Sequence, residues 1–76
     1  MTPDQIRQRL ETAFPESQVE VVDLTGTHDH YQVLIESRVF AGMSRLQQQR
    51  HVMDVFEAEL KTGEVHALTI KAIVKN

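Results

Sequence analysis

Two helix-start signatures outline this chain. Thr2-Pro3-Asp4-Gln5 supplies an N-cap hydroxyl, a proline where no amide hydrogen is needed, and a glutamine that reaches back as capping-box partner. Ser44 and Gln47 repeat the capping-box spacing. Each signature commits the residues after it to a helix. In a chain of 76 residues that leaves room for a few strands and one small core, so a single domain over residues 1–76 is expected.

The first helix carries Ile6, Leu10, Ala13 and Phe14 as its apolar stripe and stops at Pro15. Gln18 to Leu24 is rich in valine and reads as a short strand. Thr25 to Asp29 are turn formers, and His30 to Ser37 then alternates Tyr31, Val33 and Ile35 against Gln32, Leu34 and Glu36. Two such runs around a short Gly-containing loop predict an antiparallel hairpin. Arg38 to Met43 is an irregular link with space for an extra helical turn. A long second helix follows, with Leu46, Val52, Met53, Phe56 and Leu60 facing the core, Gln47 and Gln48 facing water, and Gly63 ending it. Glu64 to Lys75 reads as a third strand, with His66, Leu68, Ile70 and Ala72 on one side and Val65, Ala67, Thr69 and Lys71 on the other. The expected fold class is α+β, in the order α-β-β-α-β, with helices covering one face of a three-stranded sheet.

Composition narrows the chemistry. Apolar residues at 41% and charged residues at 25% suit a folded globular domain. There is no cysteine, which removes disulfides, thiolate metal sites and a cysteine nucleophile from this chain's own repertoire. A net charge of −3 disfavours gripping nucleic acid through the overall field. With no long apolar run and no basic-then-apolar leader at Met1-Thr2-Pro3-Asp4, the expected location is the cytoplasm. No Gly-rich phosphate loop, nucleophile elbow or His-Glu-x-x-His motif is present, so an enzyme is not expected.

The four histidines are the most informative polar residues. His28 and His30 stand in or beside the hairpin loop, and His66 opens the last strand just after a helix-ending glycine. If that strand lies beside the hairpin, His66 and a loop histidine approach closely enough to bind one metal or cluster. Two imidazoles are half of a tetrahedral shell, which needs a carboxylate such as Asp29 or ligands from another molecule. The plainer alternative makes His28 and His30 polar loop residues and His66 a strand residue bonded to backbone. His51, within the second helix, is assigned no site. Arg38, Arg45 and Arg50, with the glutamines at 47–49, put phosphate-compatible groups around the start of the second helix. The plainer alternative is a solvated helix face, which the overall negative charge favours.

Phe40-Ala-Gly-Met-Ser44, then Arg45-Leu-Gln-Gln-Gln-Arg-His-Val52, and above all Val65-His-Ala-Leu-Thr-Ile-Lys71 resemble the BolA family, particularly its short bacterial IbaG-like branch. The resemblance spans nearly the whole chain. It implies an α-β-β-α-β domain similar to a class II KH fold. The Gly-x-x-Gly loop with which a KH module clamps single-stranded nucleic acid is missing.

The resemblance further implies a monothiol glutaredoxin as partner and a bridging [2Fe-2S] cluster in iron-sulfur assembly, trafficking or iron sensing. Cysteine and glutathione thiolates would come from the partner side, and His66 plus a loop residue from this chain. His30 resembles the histidine that precedes an aromatic residue in many BolA sequences. His28 is nearer the loop tip and is preferred on accessibility, with the choice left open. The isolated chain is expected to bind no cofactor and to be a monomer or weak dimer. Other BolA branches imply a rival reading, a DNA-binding stress-response transcription regulator using Arg38, Arg45 and Arg50 as phosphate contacts.

Overall fold

The computed structural model describes residues 1–75. Asn76, the last position of the expected domain, lies outside the described residues. Helix α1 spans Pro3–Ala13, strand β1 Gln18–Asp23 and strand β2 His30–Ser37; a 3-10 turn at Arg38–Phe40 then leads into helix α2, Arg45–Asp54. Helix α3, Glu57–Thr62, and strand β3, Ala67–Val74, complete the order. Both capping boxes form: Thr2 accepts from the Gln5 amide and Ser44 from the Gln47 amide, and each glutamine side chain returns the bond. The extra turn expected between residues 38 and 44 is the 3-10 segment, capped by the buried Ser37.

β2 is the central strand. It pairs antiparallel with β1, placing Val19 opposite Ile35 and Val21 opposite Val33. It pairs parallel with β3, placing Tyr31 beside Leu68, Val33 beside Ile70 and Ile35 beside Ala72. One sheet face thus gathers every inward position. Tyr31, Val33, Ile35 and Ile70 join Ile6, Leu10 and Phe14 of the α1 segment, Phe40 of the turn, and Val52, Phe56 and Val65 in a single core. A parallel neighbour needs a long crossover, and α2 and α3 form it.

Several sequence expectations need correction. The second helix is two helices, because Val55 and Phe56 bond back three residues, to Val52 and Met53, and Phe56 takes φ −112 and ψ 22. That tightened step turns Phe56 fully into the core. Leu46 is 59% exposed and Met53 38%, so neither faces the core. Leu46 lies about 120° around an ideal helix from the buried Val52, beyond so narrow a stripe. Ala13, the last residue of α1, is also exposed although it lies only about 20° around an ideal helix from Ile6, which leaves Ile6, Leu10 and Phe14 as the buried line. Gln48 is half-buried: its Nε2 donates to the Phe40 and Met43 carbonyls. Gln49 Nε2 donates to the Ile70 carbonyl at 2.6 Å, covering a backbone acceptor on the edge strand β3.

The last strand begins at Ala67 instead of Glu64. The amides of Gly63 and Val65 both return to the Glu59 carbonyl, at 3.1 Å each, and this closure folds Val65 under the sheet. Val65 is therefore buried and His66 exposed, the reverse of a strand running from Glu64. α1 is tied to α3 by Arg9, whose Nη1 meets Glu59 Oε1 at 2.5 Å while its guanidinium lies over the Phe56 ring. No helix among the described residues is long and apolar enough to cross a membrane.

Candidate functional site

Parallel pairing decides which histidines meet. Because β2 and β3 run in the same direction, both start at one rim of the sheet, where His30 pairs with Ala67. His66 therefore stands next to His30. Their rings meet edge to face at 87°, with centroids 5.7 Å apart. An antiparallel β3 would have carried His66 toward the Ser37 end. The His66 side chain is 56% exposed, so this imidazole opens to solvent. Gly63, at φ +84, closes α3 beside it; a Cβ there would stand 3.6 Å from His66 Nε2.

Asp29 sits between the two rings. Its Oδ1 lies 2.9 Å from His30 Nδ1 and its Oδ2 3.3 Å from His66 Nδ1. One potential ligand atom from each of Asp29, His30 and His66 falls within 4.8 Å of the others. The Thr27 hydroxyl donates to Asp29 Oδ1, and the Thr25 hydroxyl reaches the same oxygen at 3.3 Å. The Thr27 bond, followed by the His30 contact, holds the Asp29 carboxyl well below the usual carboxylate range, against a smaller opposing effect of desolvation. The Asp29 carbonyl accepts from the amides of His66 at 2.8 Å and Ala67 at 3.2 Å, joining the loop to the start of β3.

His28 belongs to a separate knot. Asp23, at the end of β1, accepts from the amides of Thr25, Gly26 and His28, and its Oδ2 lies 3.2 Å from His28 Nδ1. His28 has φ +61, and its side chain is 57% exposed. The structure thus brings His30 and His66 together and holds His28 on Asp23. His51 packs against Phe14, ring centroids 5.2 Å apart. Arg38 and Arg50 line clefts on either side of His51, and Arg50 shares its cleft with Asp54. Arg45 lines a third cleft, of about 360 Å³, with Gln48, Gln49 and Lys71 against β3. The three arginines do not converge on one cleft.

The donor set suits a shared site. Two imidazoles on an exposed rim can serve as neutral ligands to a first-row metal while leaving coordination positions for another molecule. Mixed histidine and thiolate ligation is an established mode for a [2Fe-2S] cluster. Sequence reasoning named Asp29 only as a possible ligand and missed its contact with both rings. The available signal was its place between Thr27 and His30, since such a carboxylate closes local hydrogen bonds readily. The closeness of Gly63 to His66 left no sequence signal beyond helix termination.

A family model described as BolA-like protein matches residues 10–76, and the chain belongs to that family. It is 38% identical over 74 residues to BolA-like protein 1 of Mus musculus, covering 88% of this chain and 53% of that protein. It is 29% identical over 73 residues to an uncharacterised protein of Rickettsia prowazekii, covering 96% of this chain and 94% of the other. The BolA domain of SufE1 from Arabidopsis thaliana superposes with a TM-score of 0.85 at 31% identity, covering 95% of this chain and 90% of that one. BolA family proteins are non-enzymatic, which agrees with the reading of the sequence.

Proposed function

We propose that this chain is the histidine-donating partner of a monothiol glutaredoxin, sharing a bridging [2Fe-2S] cluster in iron-sulfur assembly, trafficking or iron sensing. The observation that carries the reading is the meeting of His30 and His66 on an exposed rim, rings 5.7 Å apart. Those two residues would hold the cluster from this side, and the partner's cysteine and glutathione would supply the thiolates this chain lacks. Imidazole in place of thiolate favours a higher reduction potential and a more labile cluster, which fits a carrier or sensor. His30 takes the role that accessibility alone favoured for His28, because His28 is held by Asp23 away from the pair. We assign the chain to the IbaG-like branch on its motif string. A cytoplasmic setting accords with the proposal, since glutathione keeps the required thiols reduced there.

The test is to mix the chain with a glutathione-loaded, cluster-bearing monothiol glutaredoxin and follow the visible spectrum. A changed spectrum that His66→Ala largely abolishes is the expected result; an unaltered spectrum on mixing the wild-type chain overturns the reading. Salt-steep binding to duplex DNA that depends on Arg45 and Arg50 and ignores His66 would favour the regulator instead.

A further inference from the structure

We propose that Asp29 is the positioning residue of the histidine pair: its single carboxylate accepts the Nδ1 hydrogens of both His30 and His66, fixing each ring in the tautomer that leaves Nε2 free. The inference rests on the assignment of that pair as the ligand site and adds which atoms it presents. A neutral imidazole carries one hydrogen, and an ionised carboxylate can only accept. A ring nitrogen hydrogen-bonded to the carboxylate must therefore be the protonated one. Asp29 Oδ1 is hydrogen-bonded to His30 Nδ1 at 2.9 Å, and Oδ2 stands 3.3 Å from His66 Nδ1, an ion-pair approach that a small turn of the exposed ring closes into the second bond. Both Nε2 lone pairs are then available to an incoming electrophile.

Asp29 is itself held in place. The hydroxyls of Thr25 and Thr27 donate to its Oδ1, and its carbonyl takes the amides of His66 and Ala67. The backbone bonds fix the spacing of the two chain segments, while the carboxylate fixes ring orientation and tautomer. Outer carboxylates of this kind orient ligand histidines in metal sites generally, although each usually serves one ring. Here one carboxylate serves two rings, one at the start of β2 and one just before β3, so the donors are prepared together before any partner arrives. Direct ligation by Asp29 would instead require its bond to His30 or its approach to His66 to be given up.

Asp29→Asn separates the possibilities because a carboxamide offers one acceptor and one donor. One ring keeps its Nδ1 hydrogen, and the other must accept at Nδ1 and carry its hydrogen on Nε2, which blocks that donor. The measurement is long-range proton–nitrogen NMR of the isolated chain at mildly alkaline pH. Wild type is expected to show His30 and His66 both as Nδ1–H tautomers. Asp29→Asn should move at least one to Nε2–H while leaving His28 on Asp23 unchanged. The variant should also weaken the spectral response to loaded glutaredoxin by about 10-fold to 100-fold in affinity. Nε2–H tautomers for both rings in wild type, a reading that needs no variant, overturn the proposal. Retention of both Nδ1–H forms in a folded Asp29→Asn chain does the same. The NMR result stands apart from cluster sharing: expected tautomers with no spectral response would reject the partnership and keep the positioning role.

Discussion

The His66 amide donates to the Asp29 carbonyl at 2.8 Å, while the ring Nδ1 of the same histidine faces the Asp29 carboxylate at 3.3 Å. The backbone of one residue is thus bonded to that of the other, and their side chains stand within ion-pair reach. The backbone bond anchors His66, while its ring remains exposed, at a rim where the strand has not begun. It also makes the hairpin loop and the helix-to-strand junction one structural unit.

Gly63 lies on the other side of His66, and its backbone has the left-handed φ of +84 that favours glycine. Gly63→Ala should cost about 1 kcal/mol of stability, read as a lower urea midpoint with unchanged slope. Its methyl group would also stand 3.6 Å from Nε2, in ordinary contact but at the edge of the donor. The spectral response to loaded glutaredoxin should therefore weaken at protein concentrations and temperatures where the variant remains folded. Wild-type stability in Gly63→Ala would contradict the left-handed requirement.

Phe56 and Leu46 were indistinguishable as candidate core residues in the sequence, and the structure separates them. Phe56 is fully buried and supports the Arg9 guanidinium, whereas Leu46 is 59% exposed. Phe56→Ala should cost about 3–5 kcal/mol, enough to leave a small domain largely unfolded. Leu46→Ala should stay within about 0.5 kcal/mol of wild type. Denaturant unfolding of the two variants makes the comparison; similar losses would mean the second-helix packing is misassigned.

The same contrast explains what the sequence could convey. Capping boxes and alternating strands are local signals, so both helix starts, the hairpin and the inward set Tyr31, Val33 and Ile35 were legible. The step at Val55 and Phe56 was not, because it satisfies a core made elsewhere in the chain. The phase reversal that buries Val65 and exposes His66 depends on two amides returning to Glu59, a tertiary detail without a composition signature. For the site, sequence placed the histidines at candidate rims but left their meeting conditional on strand placement. Parallel pairing of β2 with β3 selected His30, and Asp23 held His28 elsewhere.

Two titrations should bound stability. Asp29 is held below its ordinary value of 3.8, first by the Thr27 hydroxyl and then by His30. Its contribution is therefore present above 3.8 and is lost as pH falls through its lowered value, because the unfolded chain takes up the proton first. Tyr31 behaves oppositely. Burial and the nearby Asp23 carboxylate raise it above 10.0, so its contribution is intact below 10.0 and is lost as pH rises through the raised value. Unfolding midpoints across pH should show both limbs. Asp29→Asn should flatten part of the acid limb and Tyr31→Phe the alkaline one, although Tyr31→Phe also loses the hydroxyl bond to the Met1 carbonyl. An alkaline limb unchanged in Tyr31→Phe would exclude that phenol as its source.

His28 and His30 are two residues apart, yet they stand in different settings, and the proposed cluster sharing gives them opposite expectations. His30 shares Asp29 with His66, and its ring meets the His66 ring edge on; His28 shares Asp23 with the loop amides. If the pair acts as one ligand unit, His30→Ala and His66→Ala should each remove most of the spectral response to loaded glutaredoxin. The double variant should then lose little more than either single one, because half a ligand pair is already a failed site. His28→Ala should leave the response near wild type. A His28→Ala chain that loses the response while His30→Ala keeps it would place the second donor at the loop tip and require the loop to leave Asp23 on binding.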